Sequence, residues 1–271
     1  MPDLATPSAR TSPHDPIPIL SYHQTGEQPP RGSPYRELVL PPRKFALQLG
    51  ALHAMGWRGL GLRDLAPYLR RERLGKVFGI TFDDGYENNL TCALPILTSL
   101  GFTATVFVVS GQLGGTNEWD RPRGVRPARI MDVDQMRTWE AAGMEIGAHT
   151  RSHPVLTSCD RQTAEAEIHG SKADLESVLG HAISSFSYPH GLFSDAHVDA
   201  VRAAGFEFAV TTRMAKVREG DDVLQLPRFS AVADESTLRF LLRVATRLSE
   251  RLASVRHAVA SRSSPPAAIS G

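Results

Sequence analysis

Short apolar, β-prone runs alternate with helix-period stripes along most of this chain, and that alternation restricts the fold more than any other feature. The runs are Ile19–His23, Val77–Phe82, Thr103–Ser110, Glu145–His149, Ser185–Tyr188, Phe208–Thr211 and Leu226–Ser230. Between them, helical spacing and start or stop signals predict helices over Lys44–Met55, Asn89–Leu100, Val133–Ala142, Thr163–Leu179 and Ser194–Ala204. Strand and helix in repeated succession build a parallel sheet, open or closed. Such sheets carry their chemistry at the C-terminal ends of the strands, so functional side chains are expected where the apolar runs stop. With 271 residues the chain is long enough for one α/β barrel of ~250 residues or for two smaller domains.

One connection breaks the rhythm. Gly111–Met131 is rich in glycine, proline and arginine and shows little periodicity, as expected of a lid, a binding loop or a disordered segment. Residues 1–16, rich in Pro, Ser and Thr, are expected to form a flexible arm, and 261–271 a disordered tail. The N-terminus lacks an apolar core of the signal-peptide type and no run of 18 apolar residues occurs, so a cytoplasmic location is expected. Cys92 and Cys159 stand in unrelated contexts, which fits free thiols in a reducing compartment better than a disulfide framework or a CxxC metal pair. A net charge of +1 offers no whole-protein field for nucleic acid.

Three motifs stand where strands end. In GITFDDGYENN two carboxylates, Asp83 and Asp84, are adjacent. Taken alone, Asp-Gly is also a common turn dipeptide. In EIGAHTRSHP, His149 and His153 are spaced i, i+4, and Pro154 places His153 on a loop rather than a helix. Two imidazoles at that spacing can reach one metal, although a lone HxxxH is more often two unrelated loop residues. In FSYPHG, Pro189 and Gly191 shape a tight loop that can aim a backbone N–H at an oxyanion, or simply turn the chain. Taken together, one Asp and two His form a facial set with open positions, which suits Zn, Co, Ni or Fe better than Mg or Ca. A metal in such a set lowers the pKa of water, and the second, unliganded Asp can take its proton. On this reading the adjacent carboxylates divide two jobs.

TFDDG, HTRSH and YPHG, in this order and on strand ends, resemble the polysaccharide deacetylase family (carbohydrate esterase family 4, the NodB-homology domain), in its exopolysaccharide-associated branch. The resemblance runs from about Pro18 to Val232 and includes PILSYH, the Trp119-Asp120 pair and the block Gly205–Thr212. It implies a distorted, incomplete (β/α)7 barrel over residues 17–234 and hydrolysis of N-acetyl, or O-acetyl, groups on amino-sugar polymers. It further implies Asp83 as general base, with Asp84, His149 and His153 holding one divalent transition metal, zinc first. The His190 N–H would serve the oxyanion, and His23, Trp119, Tyr188, Pro189 and Gly191 would line the substrate groove. Two departures are visible. The arginine that opens the third motif in many members is Ser187 here, which leaves Arg228 of LPRFS as the candidate partner of the base. No late Leu-x-His follows, so the general acid stays open; His257 lies in a helix-like tail.

Residues 235–260 read as an amphipathic basic helix, with apolar residues from Leu238 to Val259 and Arg239, Arg243, Arg247 and Arg251 on a neighbouring stripe. Such a helix either packs on the barrel or docks on an anionic membrane surface, which would suit an acetylated polysaccharide or its lipid-linked precursor as substrate. Two other functions share these residues: hydrolysis of a non-sugar amide by the same site, and carbohydrate binding by an impaired one.

Overall fold

The computed structural model describes residues 15–246. In chain order its elements are β1 (Ile19–Tyr22), β2 (Gln24–Thr25), β3 (Val39–Leu40), α1 (Pro42–Ala54), β4 (Arg58–Leu60), α2 (Leu62–Leu69), β5 (Val77–Phe82), α3 (Leu94–Ser99), β6 (Thr105–Val108), α4 (Val133–Ala141), β7 (Glu145–Ala148), α5 (Arg161–Leu179), β8 (Ser185–Ser187), α6 (Asp195–Ala203), β9 (Phe208–Val210), β10 (Phe229–Ser230) and α7 (Thr237–Ala245). The main sheet runs β10-β1-β5-β6-β7-β8-β9, and every pairing in it is parallel. β4 pairs with the N-terminal half of β5, and the Gly59 carbonyl accepts from Thr103 N–H, so β4 is wedged between the lower ends of β5 and β6.

The last predicted strand explains how the sheet curls into a distorted barrel. Only Phe229–Ser230 pairs with β1, whereas Leu226 bridges Val210 of β9. The segment 226–230 thus touches both edges of the sheet in turn, and Arg228 sits at the crossing. Seven strands around the ring match the architecture expected from the sequence, with β4 as an addition.

The helices form where the sequence signals them. Asp132 caps α4 in a reciprocal box with Gln135, Asp160 caps α5, and Gly180 ends α5 in the left-handed region at φ 81°. Three expectations change. The helix predicted from Asn89 opens with a wide π turn over Asn89–Ala93, because Pro95 has no N–H to continue an α ladder. β4 and α2 were not foreseen: Arg58–Leu60 is short and centred on glycine, a poor strand former, and α2 carries Pro67 inside. The long connection is ordered in part. It forms short 3-10 turns at Ser110–Gln112 and Glu118–Arg123, and Ile130 bridges Tyr86 beside the Asp pair.

The C-terminal helix is seen over Thr237–Ala245, packed on α1 through buried Phe240 and Val244. Thr246 is extended backbone, so the helix does not run on from Ala245 without a break. Residues 1–14 of the predicted arm, 247–260 of the predicted helix and the tail 261–271 lie outside the described residues.

Across the lower end of the barrel, the buried carboxylate of Glu145 on β7 accepts from the Ser185 hydroxyl at 2.6 Å, the Thr105 hydroxyl at 2.7 Å and the Arg63 N–H at 2.8 Å. Burial pushes its pKa above the ordinary glutamate value, and these hydrogen bonds pull against that rise. The folded form therefore binds a proton more tightly than the unfolded chain, and stability contributed by the protonated form is lost as pH rises through the raised pKa. Glu145→Gln, which keeps one acceptor for Arg63 and Thr105 and offers a donor to Ser185, should match or exceed the wild type at about pH 8 and show a smaller loss between about pH 5 and pH 8. Glu145→Ala should cost roughly 2–4 kcal/mol at any pH. Urea denaturation at the two pH values checks both; a Gln variant as weak as the Ala variant would contradict the account.

Candidate functional site

Strand β5 ends in the Asp pair, and its backbone separates the two side chains. Asp83 continues the strand direction, its N–H donating to the Tyr22 carbonyl. Asp84 adopts φ 73°, a left-handed conformation rare outside glycine, and Gly85 follows at φ 78°. The turn sends the neighbouring carboxylates into different surroundings.

Asp83 faces Arg228. The guanidinium grips both carboxylate oxygens, at 2.8 Å to Oδ1 and 2.9 Å to Oδ2. Ser187 and Ser21 hydroxyls donate to the same two oxygens at 3.1 and 3.3 Å. Arg228 is itself fixed by the Thr211 carbonyl and the Thr81 hydroxyl, and both charges are buried. Burial alone would raise the pKa of Asp83, but the charge and hydrogen bonds of Arg228 outweigh it and hold the carboxyl well below the usual carboxylate range. Asp83 is thus ionised throughout the neutral range. The fork is geometrically specific, and lysine would not reproduce it.

Asp84 faces the two histidines. Its Oδ1 lies 3.5 Å from His149 Nε2 and 3.4 Å from His153 Nε2, and all three residues are buried. Among the described residues these three form a group whose ligand atoms lie within 4.8 Å of one another. The donor set fits a transition metal at ligand bonds of ~2.0–2.2 Å. The tautomer fits as well: His149 Nδ1–H donates to the Ser187 carbonyl at 2.7 Å, which leaves the Nε2 lone pair for a metal. Burial lowers the pKa of both imidazoles. For His149 the carboxylates of Asp84 and Asp83 reverse the sign, and its pKa is raised; for His153 burial prevails and pulls it to about 3.

The loop that carries the histidines is strained and braced. Thr150 and His153 both have positive φ, at 63° and 60°. Glu167 of α5 accepts the N–H groups of Arg151 and Ser152, at 2.8 and 2.9 Å, and the Ser152 hydroxyl at 2.7 Å. Asp174, two turns further on, takes a bidentate grip from Arg151 and accepts the Ser110 hydroxyl. Gly111 N–H donates to the Arg151 carbonyl at 2.8 Å, an approach that a Cβ on residue 111 would block at 2.5 Å.

The remaining predicted residues gather around one cleft of about 860 Å3 that contains the Asp pair and both histidines. Trp119 lines it and stacks on the His153 ring at 4.9 Å. His23 lines it from the end of β1, its carbonyl held by Asn89. His190 lines it 4.6 Å from the His153 ring, with φ 58°. Burial, Arg123 and His149 keep the His190 imidazole below its ordinary pKa. Tyr188 reaches the cleft, but its ring is buried on Phe193 and its hydroxyl donates to the Leu224 carbonyl. Pro189 is buried in the turn, and Gly191, at φ 67°, abuts Thr212, where a Cβ would fall 1.8 Å from the hydroxyl oxygen. These two shape the turn that presents His190. Sequence reasoning overlooked Ser21, Thr81, Glu167 and Asp174. None belongs to a motif; only the register of β1 with β5 and the packing of α5 bring them in.

Comparison with known proteins gives the site its context. A family model described as polysaccharide deacetylase matches residues 70–209, which is just over half of the 271 residues. YxkH of Bacillus subtilis (strain 168), which carries a provisional polysaccharide deacetylase name, is 26% identical over 198 residues, covering 72% of this chain and 64% of that protein. The poly-β-1,6-N-acetyl-D-glucosamine N-deacetylase of Staphylococcus epidermidis (strain ATCC 35984 / RP62A) is 22% identical over 195 residues, covering 69% and 65%. The chain therefore spans just under two thirds of these relatives. The Streptococcus pyogenes deacetylase PplD, solved with acetate, superposes with a TM-score of 0.74 at 24% identity, over 85% of this chain and 99% of that one, and shares the fold.

If Glu167 holds the histidine loop in its strained shape, Glu167→Ala should weaken the affinity of this group for a divalent transition metal, with zinc as the probe, by about 10–100-fold, as outer-shell changes do, with the circular dichroism spectrum unchanged. Glu167→Gln, which retains an acceptor, should fall between. Calorimetric zinc titration checks this; an alanine variant with wild-type affinity would show that the loop needs no such brace.

Proposed function

The chain belongs to the polysaccharide deacetylase family, and on that premise we propose that it is a hydrolase that removes N-acetyl groups from an amino-sugar polysaccharide with one bound transition metal, zinc first. The observation that carries the reading is the division of labour between neighbouring carboxylates: Asp84 joins two imidazoles, while Asp83 is held apart by Arg228. The name of the staphylococcal relative supports a β-linked N-acetylglucosamine polymer, or a precursor of it, as the substrate class. The same family relation supports O-acetyl groups as a secondary target.

Asp84, His149 and His153 would hold the metal, which when bound makes water a stronger acid, with a pKa near ~7, and stabilises negative charge on the substrate oxygen. Asp83 accepts the proton of the attacking water. Its low pKa makes it a weak base, suited to water that a metal in this set would acidify, and Arg228 keeps it ionised. Ser187 and Ser21 fix the carboxylate rotamer, so Asp83 presents one geometry to the substrate. The strained turn at His190, beside the metal set, supports its N–H as the donor to the developing oxyanion. His23 serves the leaving nitrogen. It lines the cleft at the end of β1, where Asn89 holds its carbonyl, and this position makes it the candidate donor. His190 is held below its ordinary pKa, which makes it a poor proton donor. The acyl C–N bond breaks, acetate departs and a free amine is left on the sugar.

The serine at position 187 is no sign of decay. The guanidinium that many relatives place on that strand comes here from the seam beyond β9, and Ser187 accepts from it at 3.1 Å. This favours an enzyme over an impaired binding protein. The packing of Phe240 and Val244 against α1 supports a docked C-terminal helix over residues 237–245. Contact with a membrane, a lipid-linked precursor and a cytoplasmic site of action extend the same proposal. Co-sedimentation with anionic vesicles and cell fractionation would test them.

Asp83→Asn should lower acetate release from N-acetylglucosamine oligomers by about 10²–10⁴-fold while the protein keeps one metal per chain. His149→Ala or His153→Ala should instead lose the metal. Elemental analysis beside an acetate assay separates the two classes; an active Asp83→Asn protein, or stoichiometric metal in a histidine variant, would break the assignment.

A further inference from the structure

The cleft is far larger than an acetamido group needs, and it extends away from the metal set. At about 860 Å3 it lies in the size range of sites that enclose whole ligands. One wall is the segment 27–38, which the proposed chemistry does not use. Its centre is Tyr35. Of the five tyrosines, Tyr22, Tyr68, Tyr86 and Tyr188 are buried, whereas Tyr35 is 37% exposed and lines the cleft.

Tyr35 is displayed at some cost. It sits at φ 55°, in the left-handed region that an aromatic residue rarely adopts. The loop around it is braced. Arg36 donates from Nε to the Pro29 carbonyl at 3.0 Å and from its terminal nitrogens to Gln28 at 3.0 Å and Asp234 at 3.4 Å. Leu38 N–H donates to the Tyr35 carbonyl at 3.0 Å. Pro29, Pro30 and Pro34 stiffen the same wall. A loop that only covered the barrel would need neither the strain nor an exposed ring. A rigid, amphipathic ring at the edge of a cleft suits a ligand with an apolar face and a polar rim, which describes a pyranose: C–H bonds on its face and hydroxyls around its edge.

We propose that Tyr35 forms a second sugar subsite, which stacks against a pyranose ring of the polymer other than the one that loses its acetyl group. This rests on the deacetylase reading and deepens it: the enzyme acts on chains, and a single amino sugar fills only part of the cleft. The subsite adds affinity for the polymer without touching the reacting atoms, so it acts on binding and leaves chemistry at the metal set unchanged.

The test separates the two claims. In the Asp83→Asn background, where the ligand survives, calorimetry measures binding of a β-linked N-acetylglucosamine pentamer to the zinc-loaded protein. Tyr35→Ala should weaken that binding by about tenfold, and Tyr35→Trp should restore it. In the otherwise wild-type protein, Tyr35→Ala should raise KM for the pentamer by a similar factor, with kcat and the hydrolysis of a small acetyl ester unchanged. Equal pentamer binding with and without the ring, or no pentamer binding by the parent, would overturn the subsite. So would an equal loss on pentamer and ester, which would mark a general structural defect. If no acetyl substrate is hydrolysed, the deacetylase reading fails, and the binding comparison still decides whether Tyr35 holds a sugar.

Discussion

The buried pair of Asp83 and Arg228 governs the centre of this molecule. Removing two charges from water is expensive, and their attraction repays the cost only when geometry and hydrogen bonding are nearly complete. Here they are: both carboxylate oxygens meet the guanidinium, two serine hydroxyls take further lone pairs, and Thr211 and Thr81 occupy other donors of the arginine. The groups come from β1, β5, β8 and the segment that passes from β9 to β10. Regular pairing fails at that seam, since Leu226 bonds to one edge strand and Phe229 to the other. The ion pair ties the seam where the hydrogen-bond ladder does not. Well-packed apolar residues of similar size can often replace a buried pair without loss of stability. Its presence is therefore better explained by the ionised, immobile carboxylate it maintains than by the stability it adds.

That constraint also accounts for the adjacent carboxylates. On a regular strand, successive side chains point to opposite faces, and one of the two would leave the site. The chain leaves the strand at Asp84 instead, with two successive positive φ values at Asp84 and Gly85. Both carboxylates stay at the mouth of the barrel but in separate environments, one beside an arginine and one beside imidazoles. Without Arg228, Asp83 would bear two unfavourable influences, burial and a like charge next door, and both would raise its pKa. The arginine keeps two neighbouring acids ionised in a buried place.

Much of this was legible in the sequence because strand ends and helix stripes are local. The seven ring strands, the capped start of α4 at Asp132, the glycine stop of α5 and the pairing of one aspartate with His149 and His153 follow from patterns within a few residues of each motif, whereas the choice of Asp84 for that group came from the family resemblance. Arg228 was legible only through the family resemblance, which implies an arginine where this chain has Ser187. What was not legible depends on contacts distant in sequence or on very short elements. β4 is three residues long and exists because β5 and β6 diverge at their lower ends and leave a gap to fill. Glu167 and Asp174 look like ordinary helix-surface acids until α5 is laid against the histidine loop. The 111–131 connection has no periodicity because its order comes from irregular pairings: Gly115 accepts from Ile130 N–H within it, Gly85 accepts from Met131 N–H, and Arg129 accepts from Glu87 N–H.

These outer contacts share one logic. Several loops at the mouth are held by side chains that contribute nothing to the chemistry. The histidine loop, with positive φ at Thr150 and His153, is held by α5. The end of β1, which carries His23, is held by the π turn after the Asp pair: Asn89 donates to the His23 carbonyl, and Asn88 binds Gln24 and Thr25. The Tyr35 loop is held by Arg36. The π turn is informative, because Pro95 forces it and the widened turn is the one that carries Asn88 and Asn89. A regular helix from Asn89 would rotate both amides away from the positions they now hold relative to β1. The same short stretch, from Asp83 to Pro95, thus supplies the base, a metal ligand and the brace for the candidate acid. This chemical density, more than any single residue, marks the C-terminal end of β5 as the place around which the rest of the mouth is arranged.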